Sequence, residues 1–397
     1  MSHLLRNATT LLASAGSIDR ASQRFLILDD IFPQLLSAFR IAEYNAYLSH
    51  FEMAQVHSTA KAFPLVGEHR SFREVVEEYE NLYPEYRNRV YKFHPWQNYT
   101  GRLVYTMFLN NAFRFVDVAE RHAVPFVFTL YPGGGFQLNV PAVDERLRRV
   151  LSSPTFGKVI VTQRILHEYL VNNKLCPADK MEFIYGGVLP ADRLGQQGVT
   201  KKYYQKDKDT FDICFMANKY TQRGVDKGYD VFVEVAKSLA RSHQDIFFHV
   251  VGPFDETDID VSRIENRIEF YGMRSTDFFP LFYSSMDVCL SPNAPFVLGP
   301  GSFDGFPTGS SVEAGLCGVA VFCTDVLNLN VALKDGEEIV IISRDVDDVC
   351  STIDAYYRNY DDLYALARKG KEAFRRVFGY EAQMLPRLRI LGEYGLK

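Results

Sequence analysis

Short apolar runs alternate with amphipathic helical segments along most of the chain, and this alternation constrains the fold more than any other feature. It predicts an α/β fold in which mostly parallel strands are joined by helices. The predicted strands of the first half are Arg24–Leu28, Gln55–Ser58, Arg89–Phe93, Leu103–Phe108, Phe126–Leu130, Lys158–Thr162 and Phe183–Tyr185. Those of the second half are Phe211–Met216, Ile246–Val251, Ile268–Tyr271, Val288–Ser291, Val319–Cys323 and Ile339–Ile342. The predicted helices of the second half are Tyr229–Ala240, Thr276–Ser285, Ser310–Cys317 and Val346–Phe378, the last as one helix or two.

The polar, charged segment Gly195–Thr210 divides the chain into two α/β units of similar size. We therefore predict one Rossmann-like domain over residues 1–195 and a second over residues 196–380. We also predict that residues 381–397 pack back on the first domain. Ligands of open parallel sheets bind at the carboxyl ends of the strands, so a cleft between the two domains is the expected ligand site.

Composition excludes several classes of protein. The net charge is −5 at pH 7, which gives no broadly basic surface for nucleic acid. The six cysteines form no CxxC pair, and most lie in apolar runs, as free cysteines of a reducing compartment do. No run of about 18 apolar residues predicts a transmembrane helix, and residues 7–16 are too short and too polar for a signal peptide. These features predict a cytoplasmic protein.

Residues 301–322, GSFDGFPTGSSVEAGLCGVAVF, contain a predicted helix start that is rich in small residues. Thr308, Gly309 and Ser310 offer capping candidates and unhindered backbone N–H groups at this start. Free N–H groups and the positive end of the helix dipole attract phosphate. The segment therefore predicts a phosphate site.

Two acids flank this helix start: Asp304 on a glycine-containing loop and Glu313 in the predicted first turn. Glu313 could accept hydrogen bonds from a diol such as ribose, and Asp304 from hydroxyls that lie beyond the phosphate. The order carboxylate, amides, carboxylate suits a sugar nucleotide. The alternative is that both acids only stabilise the loop and the helix dipole, and this segment alone does not separate the two interpretations.

A basic loop follows the predicted strand Phe211–Met216 in the same unit. It carries Lys219, Arg223 and Lys227, and the next helix begins near Gly228. The carboxyl end of a parallel strand is where the charge of a diphosphate would be met. A solvated basic loop is the alternative, but its coincidence with the phosphate site above favours the diphosphate.

Together these motifs resemble retaining glycosyltransferases of the GT-B type, family 4, also called glycosyl transferases group 1. The family's donor signature, an acid followed by glycines and, further on, a glutamate, is matched by DGFPTGSSVEAGLCGVAV. VVGPF, IEFYGM and SMDVCLSP follow the order of the family's second domain, and KVIVTQ and FIYGGV resemble its interdomain junction. The likeness is good over residues 150–345 and weak before them. It implies two Rossmann-like domains facing each other across a deep cleft.

The resemblance also implies roles for individual residues. Lys219 and Lys227 would bind the donor diphosphate and stabilise the leaving group, while Glu313 would bind the donor ribose. A basic pair and a helix start can replace a divalent cation, so we expect no metal to be required. Retention in this family implies front-face attack on the donor, assisted by the departing phosphate.

The donor sugar and base would lie nearby. By the resemblance, Asp304 with the backbone of Gly305 and Phe306 would contact the sugar hydroxyls. Met273 and Arg274, after the IEFYG segment, would meet the base. The resemblance gives UDP-glucose as the prior for the donor, and the residues themselves do not name the base or the sugar.

The chain departs from the family pattern at four points. The acids Asp304 and Glu313 are nine positions apart instead of eight, and the first is the shorter acid. Lys219 stands where arginine is more frequent, so the bidentate fork of a guanidinium is lost. Ala320 replaces the proline of the family's final motif.

In the first domain, a glycine-rich loop follows a predicted strand in FTLYPGGGFQLN, residues 128–139. Gly133, Gly134 and Gly135 permit positive φ angles and a close approach of backbone to ligand. The loop looks like the one by which such enzymes face donor and acceptor, and the alternative is a simple turn. Tyr131 stands near the place where family members often have a histidine.

Other residues of the first domain are weaker candidates. His94, beside the single tryptophan Trp96, could act as a base near a stacked sugar, although such pairs are more often structural. Asp29 and Asp30 could contact acceptor hydroxyls, but capping of the following helix is the favoured interpretation.

The leading functional prediction is a metal-independent hexosyltransferase in polysaccharide synthesis. It would transfer a sugar from a nucleotide sugar to a glycan or a lipid-linked acceptor, in the cytoplasm or at the inner face of the cytoplasmic membrane. The first domain would bind the acceptor, and the second the nucleotide sugar. Two alternatives stay open: a regulatory module that binds sugar nucleotides without turnover, and a GT-B-like epimerase of UDP-sugars.

Overall fold

The computed structural model describes residues 21–195 and 198–396. The segment considered above as a signal peptide, residues 7–16, lies outside the described residues. A seven-stranded, fully parallel sheet has the order β3-β2-β1-β4-β5-β6-β7. Its strands are β1 (Phe25–Asp29), β2 (Ala54–Ser58), β3 (Val90–Lys92), β4 (Leu103–Met107), β5 (Phe126–Leu130), β6 (Phe156–Val161) and β7 (Met181–Phe183).

A second sheet is formed by the other half of the chain. It has six parallel strands in the order β10-β9-β8-β11-β12-β13. These are β8 (Phe211–Met216), β9 (Ile246–Val251), β10 (Ile268–Phe270), β11 (Val288–Ser291), β12 (Ala320–Cys323) and β13 (Val340–Ile341). We call the parts of the chain built around the first and second sheets the first and second unit.

Helices connect the strands of both sheets, as the alternating pattern predicted. The α-helices of the described residues are Ala38–His50, Phe72–Leu82, Leu109–Arg121, Pro141–Leu151, Arg164–Asn172, Ala191–Leu194, Tyr229–Ser242, Phe279–Ser284, Gly309–Leu316, Val346–Arg358, Tyr360–Phe378 and Tyr380–Gly392. None of these helices is both long and apolar enough to cross a membrane.

The strand order indicates where the ligand cleft lies. In each sheet the order reverses beside the first strand, between β1 and β4 in the first unit and between β8 and β11 in the second. The loops that leave the carboxyl ends of these strands diverge at such a switch point and leave a crevice. β1, β4 and β5 are buried along their whole length, so these loops stand on a rigid base.

Two sequence predictions differ most from the observed elements. The strand predicted at Phe183–Tyr185 lies at Met181–Phe183, because Tyr185 is buried by packing near Phe378 and not by strand pairing. The helix predicted at Thr276–Ser285 is a 3₁₀ turn followed by a short α-helix that has Pro280 at its start, where the missing N–H costs nothing. The long C-terminal segment, predicted as one helix or two, is two helices separated at Asn359.

The final helix, Tyr380–Gly392, packs against the first unit. Met384, Leu388 and Leu391 join the buried cluster around Phe25. The same helix inserts the side chain of Arg387, which is fully buried. The chain therefore returns to the first sheet after it has completed the second.

Candidate functional site

A cavity of about 690 Å³ lies between the carboxyl edges of the two sheets, and both units line it. This volume is in the usual range for a site that buries a small organic ligand. The cationic residues of the lining are Arg40, Lys227 and Arg274, and the acidic ones are Asp30, Asp226, Asp304 and Glu313. The cavity therefore holds charged groups of both signs.

A helix start faces this cavity from the second unit. The helix Gly309–Leu316 begins after Thr308, whose hydroxyl accepts the Ser311 N–H at 3.4 Å. Among the described residues, the N–H groups of Gly309 and Ser310 have no hydrogen-bond partner, and both residues line the cavity. The predicted anion site is thus present as a geometry of free amides at a helix N-terminus.

Glu313 is the fifth residue of this helix, so its predicted place in the first turn was wrong by one position. Its side chain lines the cavity but is largely buried, and among the described residues its carboxyl has no hydrogen-bond or ion-pair partner. Burial alone raises the pKa of Glu313 to about 8. At neutral pH the carboxyl is mainly protonated, and it can both donate and accept a hydrogen bond.

Lys227 and Asp304 bond directly to each other. The Lys227 Nζ lies 2.7 Å from both carboxylate oxygens of Asp304, and the Asn293 side-chain amide donates to the same carboxylate at 2.8 Å. Burial acts to lower the pKa of Lys227, but Asp304, together with Tyr220 and Asp226, outweighs this effect and the pKa lies above its ordinary value. The ammonium therefore stays charged at the edge of the cavity.

The backbone next to Lys227 explains its position. Gly228 has a φ of 80° at the start of the helix Tyr229–Ser242. A Cβ atom at Gly228 would lie 2.1 Å from the carbonyl oxygen of Pro292, in the loop after β11. Only glycine allows this approach of the two loops, which brings Lys227 to Asp304.

Lys219 and Arg223 differ from their predicted positions. Lys219 bonds to Asp258 at 2.8 and 2.9 Å, and its Nζ lies 5.7 Å from the centre of the Phe254 ring. Arg223 is exposed with a φ of 63°. Neither residue lines the cavity. Of the three basic residues predicted at the diphosphate, the structure brings only Lys227 there, because the loop Phe254–Asp258 supplies a closer carboxylate for Lys219.

The other predicted donor residues lie in or beside the cavity. Met273 and Arg274 line it, and the Arg274 guanidinium is 5.2 Å from the centre of the Phe278 ring. Gly305 also lines it, whereas Phe306 is buried and turns its carbonyl to the Gln163 side-chain amide at 3.1 Å. Gln163 belongs to the first unit, so this bond joins the two units at the Asp304 loop.

The glycine-rich loop forms part of the first-unit wall. Gly133 and Gly134 line the cavity, while Gly135 packs on Asn110 so closely that a Cβ atom would lie 2.0 Å from its Oδ1. The Tyr131 ring lines the cavity, but its hydroxyl donates to Glu43 at 3.0 Å. The hydroxyl of Tyr131 is thus engaged by a buried carboxylate.

The first-unit candidates outside the glycine-rich loop lie in different places. His94 is exposed and does not line the cavity, so its predicted place in the cleft was wrong. Asp29 accepts the N–H groups of Ile31 and Phe32 at 2.8 Å, which makes it a turn-stabilising residue that does not cap the helix Ala38–His50. Asp30 lines the cavity.

Sequence reasoning missed a buried network behind the first-unit wall. Glu43 accepts hydrogen bonds from Tyr47, Tyr105 and Tyr131. Arg387, from the last helix, lies 4.0 Å from Glu43 and donates to the Tyr131 hydroxyl at 3.4 Å. No local signal could reveal this contact, because 344 positions separate Arg387 from Glu43.

Within the two described ranges, no group of three His, Cys, Asp or Glu side chains is arranged to hold a metal ion.

Comparisons with known proteins agree with this architecture. The family model for glycosyl transferases group 1 matches residues 210–359. Anabaena HepE in complex with UDP and glucose has a TM-score of 0.66 at 14% identity, covering 94% of this chain and 100% of that one. No curated protein matches the sequence.

Two further solved structures show the same fold. Sucrose-phosphate synthase from Thermosynechococcus elongatus has a TM-score of 0.60 at 15% identity and covers 94% of this chain and 99% of its own. Trehalose-6-phosphate from E. coli, bound with UDP-2-fluoro glucose, has a TM-score of 0.60 at 10% identity and covers 93% of this chain and 99% of its own. The predicted α/β architecture of two facing parallel sheets is confirmed. The chain has the GT-B fold of these structures, and its residues 210–359 match the glycosyl transferases group 1 family.

Proposed function

We propose that this protein is a retaining glycosyltransferase that moves a hexosyl group from a nucleotide sugar to a glycan or a lipid-linked acceptor in polysaccharide synthesis. The observation that carries the proposal is the second-unit wall, where a cation, free helix amides and a ribose-compatible carboxyl line one cavity. The solved structures of similar fold that hold UDP, UDP-glucose or a UDP-sugar analogue support UDP-glucose as the donor. The cytoplasm, or its membrane face, is the proposed location.

The donor would lie along the second-unit wall. The N–H groups of Gly309 and Ser310 and the ammonium of Lys227 would bind the diphosphate. Glu313 would bond to the ribose, one helical turn further on. Asp304, which bonds to Lys227 and lines the cavity, would contact the hydroxyls of the donor sugar.

Transfer would break the bond between the anomeric carbon and the diphosphate oxygen. Negative charge then grows on the departing diphosphate, where Lys227 and the helix amides would stabilise it. The acceptor hydroxyl would attack from the same face, and its proton would pass to the departing phosphate oxygen. These groups would neutralise the leaving group without a divalent cation.

The first test is a thermal-shift screen with UDP, GDP, dTDP, ADP and their sugars, because a ligand that binds only the folded state raises its melting temperature. UDP and UDP-glucose are expected to give the largest shifts, and EDTA should leave transfer nearly intact. Loss of activity in EDTA, with recovery in Mg²⁺ or Mn²⁺, would contradict metal independence. UDP-sugar interconversion without acceptor would indicate an epimerase, and binding without turnover a regulatory module.

Glu313→Ala tests the proposed ribose contact. We expect UDP affinity to fall about tenfold to a hundredfold, the usual effect of losing one or two hydrogen bonds. Isothermal titration with UDP measures this, and the exposed Glu337→Ala is the control. Unchanged affinity in Glu313→Ala would remove the residue from the ribose site.

A further inference from the structure

The first-unit wall of the cavity carries a set of large apolar side chains that no donor contact requires. We call Leu35, Leu36, Phe39, Leu65 and Val66 the apolar strip, and all five line the cavity. Leu35 and Leu36 lie in the turn that precedes the helix Ala38–His50, and Phe39 lies in its first turn. Leu65 and Val66 lie in a 3₁₀ turn after β2. Because β1 and β2 are paired neighbours, the two segments leave adjacent strand ends.

The apolar strip is partly open to solvent, and Leu65 is its most exposed member. Leu65 lines the cavity and is 72% exposed. Across the cleft, Leu298 of the second unit lines the same cavity and is 51% exposed. Exposed apolar side chains thus line the cavity from both units.

The charges of this wall neutralise one another. The Arg40 guanidinium lies 3.1 Å from Asp29 and 3.5 Å from Asp30, between the rings of Phe39 and Phe108. Asp30 also contacts Arg114 at 3.4 Å. Among the described residues, the first-unit lining therefore offers no unpaired cation for an anionic group of an acceptor.

An apolar surface gains free energy only when it removes apolar ligand area from water. A saccharide alone presents mostly hydroxyls, and the apolar strip has no partners for them. We propose that the acceptor is a saccharide linked to a hydrocarbon chain, and that the apolar strip and Leu298 bind the chain at the mouth of the cleft. This inference rests on the proposed glycosyltransferase function and chooses the lipid-linked acceptor over the free glycan.

Matched acceptors test the inference. With UDP-glucose as donor, UDP release is measured for pairs of acceptors, a methyl and an n-octyl glycoside that carry the same sugar. Both are used below the micelle concentration. Each buried methylene strengthens binding about fourfold, so kcat/KM should be at least about tenfold higher for the octyl glycosides. Isothermal titration of methyl and octyl β-glucoside into the UDP-saturated protein should also show that the octyl glucoside binds more tightly.

Two exposed leucines provide a matched pair of variants. Leu65→Ser should reduce the octyl-to-methyl ratio severalfold in both assays, without disturbing the core. Leu281→Ser is the control, because Leu281 is 70% exposed but lies outside the cavity lining. It should keep the wild-type ratio.

The outcomes separate this inference from the proposed function. Equal affinities of wild type for methyl and octyl glucoside, or an equal loss in both leucine variants, would overturn the apolar acceptor site. Equal turnover of free glycans and octyl glycosides would assign the site to a free glycan and would overturn it too. Absence of UDP-sugar binding and turnover, with an intact octyl preference in titration, would instead contradict the proposed function.

Discussion

The two walls of the cleft differ in where their charged side chains point. On the first-unit side, Glu43, Arg387 and the tyrosines around them bond to one another behind the wall, and Arg40 is held by two aspartates. On the second-unit side, Lys227 and Asp304 meet at the cavity, and the carboxyl of Glu313 lines it without a hydrogen-bond or ion-pair partner among the described residues. The first wall uses its charges for stability, whereas the second keeps them within reach of a ligand.

This difference follows from how far each charged group is removed from water. A buried charge is tolerated when a partner and hydrogen bonds replace its water, and such a group is then unavailable to substrate. A charge at a cavity edge can exchange its partner for a ligand at lower cost. The comparison therefore predicts that substitutions in the first network reduce stability, and that substitutions at the second wall change binding and rate.

The largest expected effect is on stability, in Arg387→Met. This change leaves the Glu43 carboxylate buried without its cation, which costs about 3–5 kcal/mol in other buried pairs. Urea unfolding of Arg387→Met measures the cost. Arg389→Met, on the same helix but with a 67% exposed side chain, is the control and should change stability by less than about 0.5 kcal/mol. Equal effects in the two variants would mean that the buried network adds nothing to stability.

Lys227→Ala should lower kcat by about 100-fold, because the cation at the proposed leaving group is lost. Lys219→Ala should have a much smaller effect, since Lys219 bonds to Asp258 outside the cavity. Steady-state kinetics with UDP-glucose compare the two. Equal losses would show that Lys219 leaves Asp258 when the donor binds, and that both lysines serve the second wall.

Glu313→Gln tests the second wall through the pH dependence of stability. The folded-state pKa of Glu313 is about 8 and its ordinary value is 4.5. Between these values the folded protein binds more protons than the unfolded chain, so wild-type stability falls as pH rises from about 5 to 8 and then levels. Glutamine cannot ionise, so the variant should gain about 1 kcal/mol or more over wild type across this window. Urea midpoints at pH 5.5, 7 and 8.5 test this, and a constant difference would contradict it.

Asp304→Asn tests the proposed contact with the donor sugar. The change weakens acceptance of sugar hydroxyls and also releases Lys227 from its ion pair. Transfer should therefore fall about tenfold, while affinity for UDP alone is kept or improves a few-fold. Titration with UDP and kinetics with UDP-glucose separate the two effects. Equal losses of UDP affinity and of transfer would remove Asp304 from the sugar site.

Much of the fold could be predicted from the sequence, because it depends on local patterns. The strands Phe126–Leu130, Phe211–Met216, Ile246–Val251 and Val288–Ser291 occur at the predicted residues. Their apolar runs fit strands that are buried on both faces of a parallel sheet. The error at Phe183–Tyr185 arose because burial by packing and burial by strand pairing give the same apolar pattern.

The candidate site was predictable only in part. The helix start at Thr308–Ser310 and the loop position of Lys227 are local features, fixed by capping residues and by a glycine at positive φ. The partners of the lysines are not local. Lys219 and Lys227 have the same side chain on the same loop, yet one bonds to Asp258 and the other to Asp304.

The sequence by itself determined the α/β class, the two units and the chemistry available at the helix Gly309–Leu316, since each of these follows from periodicity or composition over a few residues. Only the tertiary structure decided which charges line the cavity and which are buried behind it. Arg387 reaches Glu43, and Gln163 reaches Phe306, across 344 and 143 positions of chain. Such contacts depend on how the last helix returns to the first unit and on how the two units meet, and no local pattern of residues encodes them.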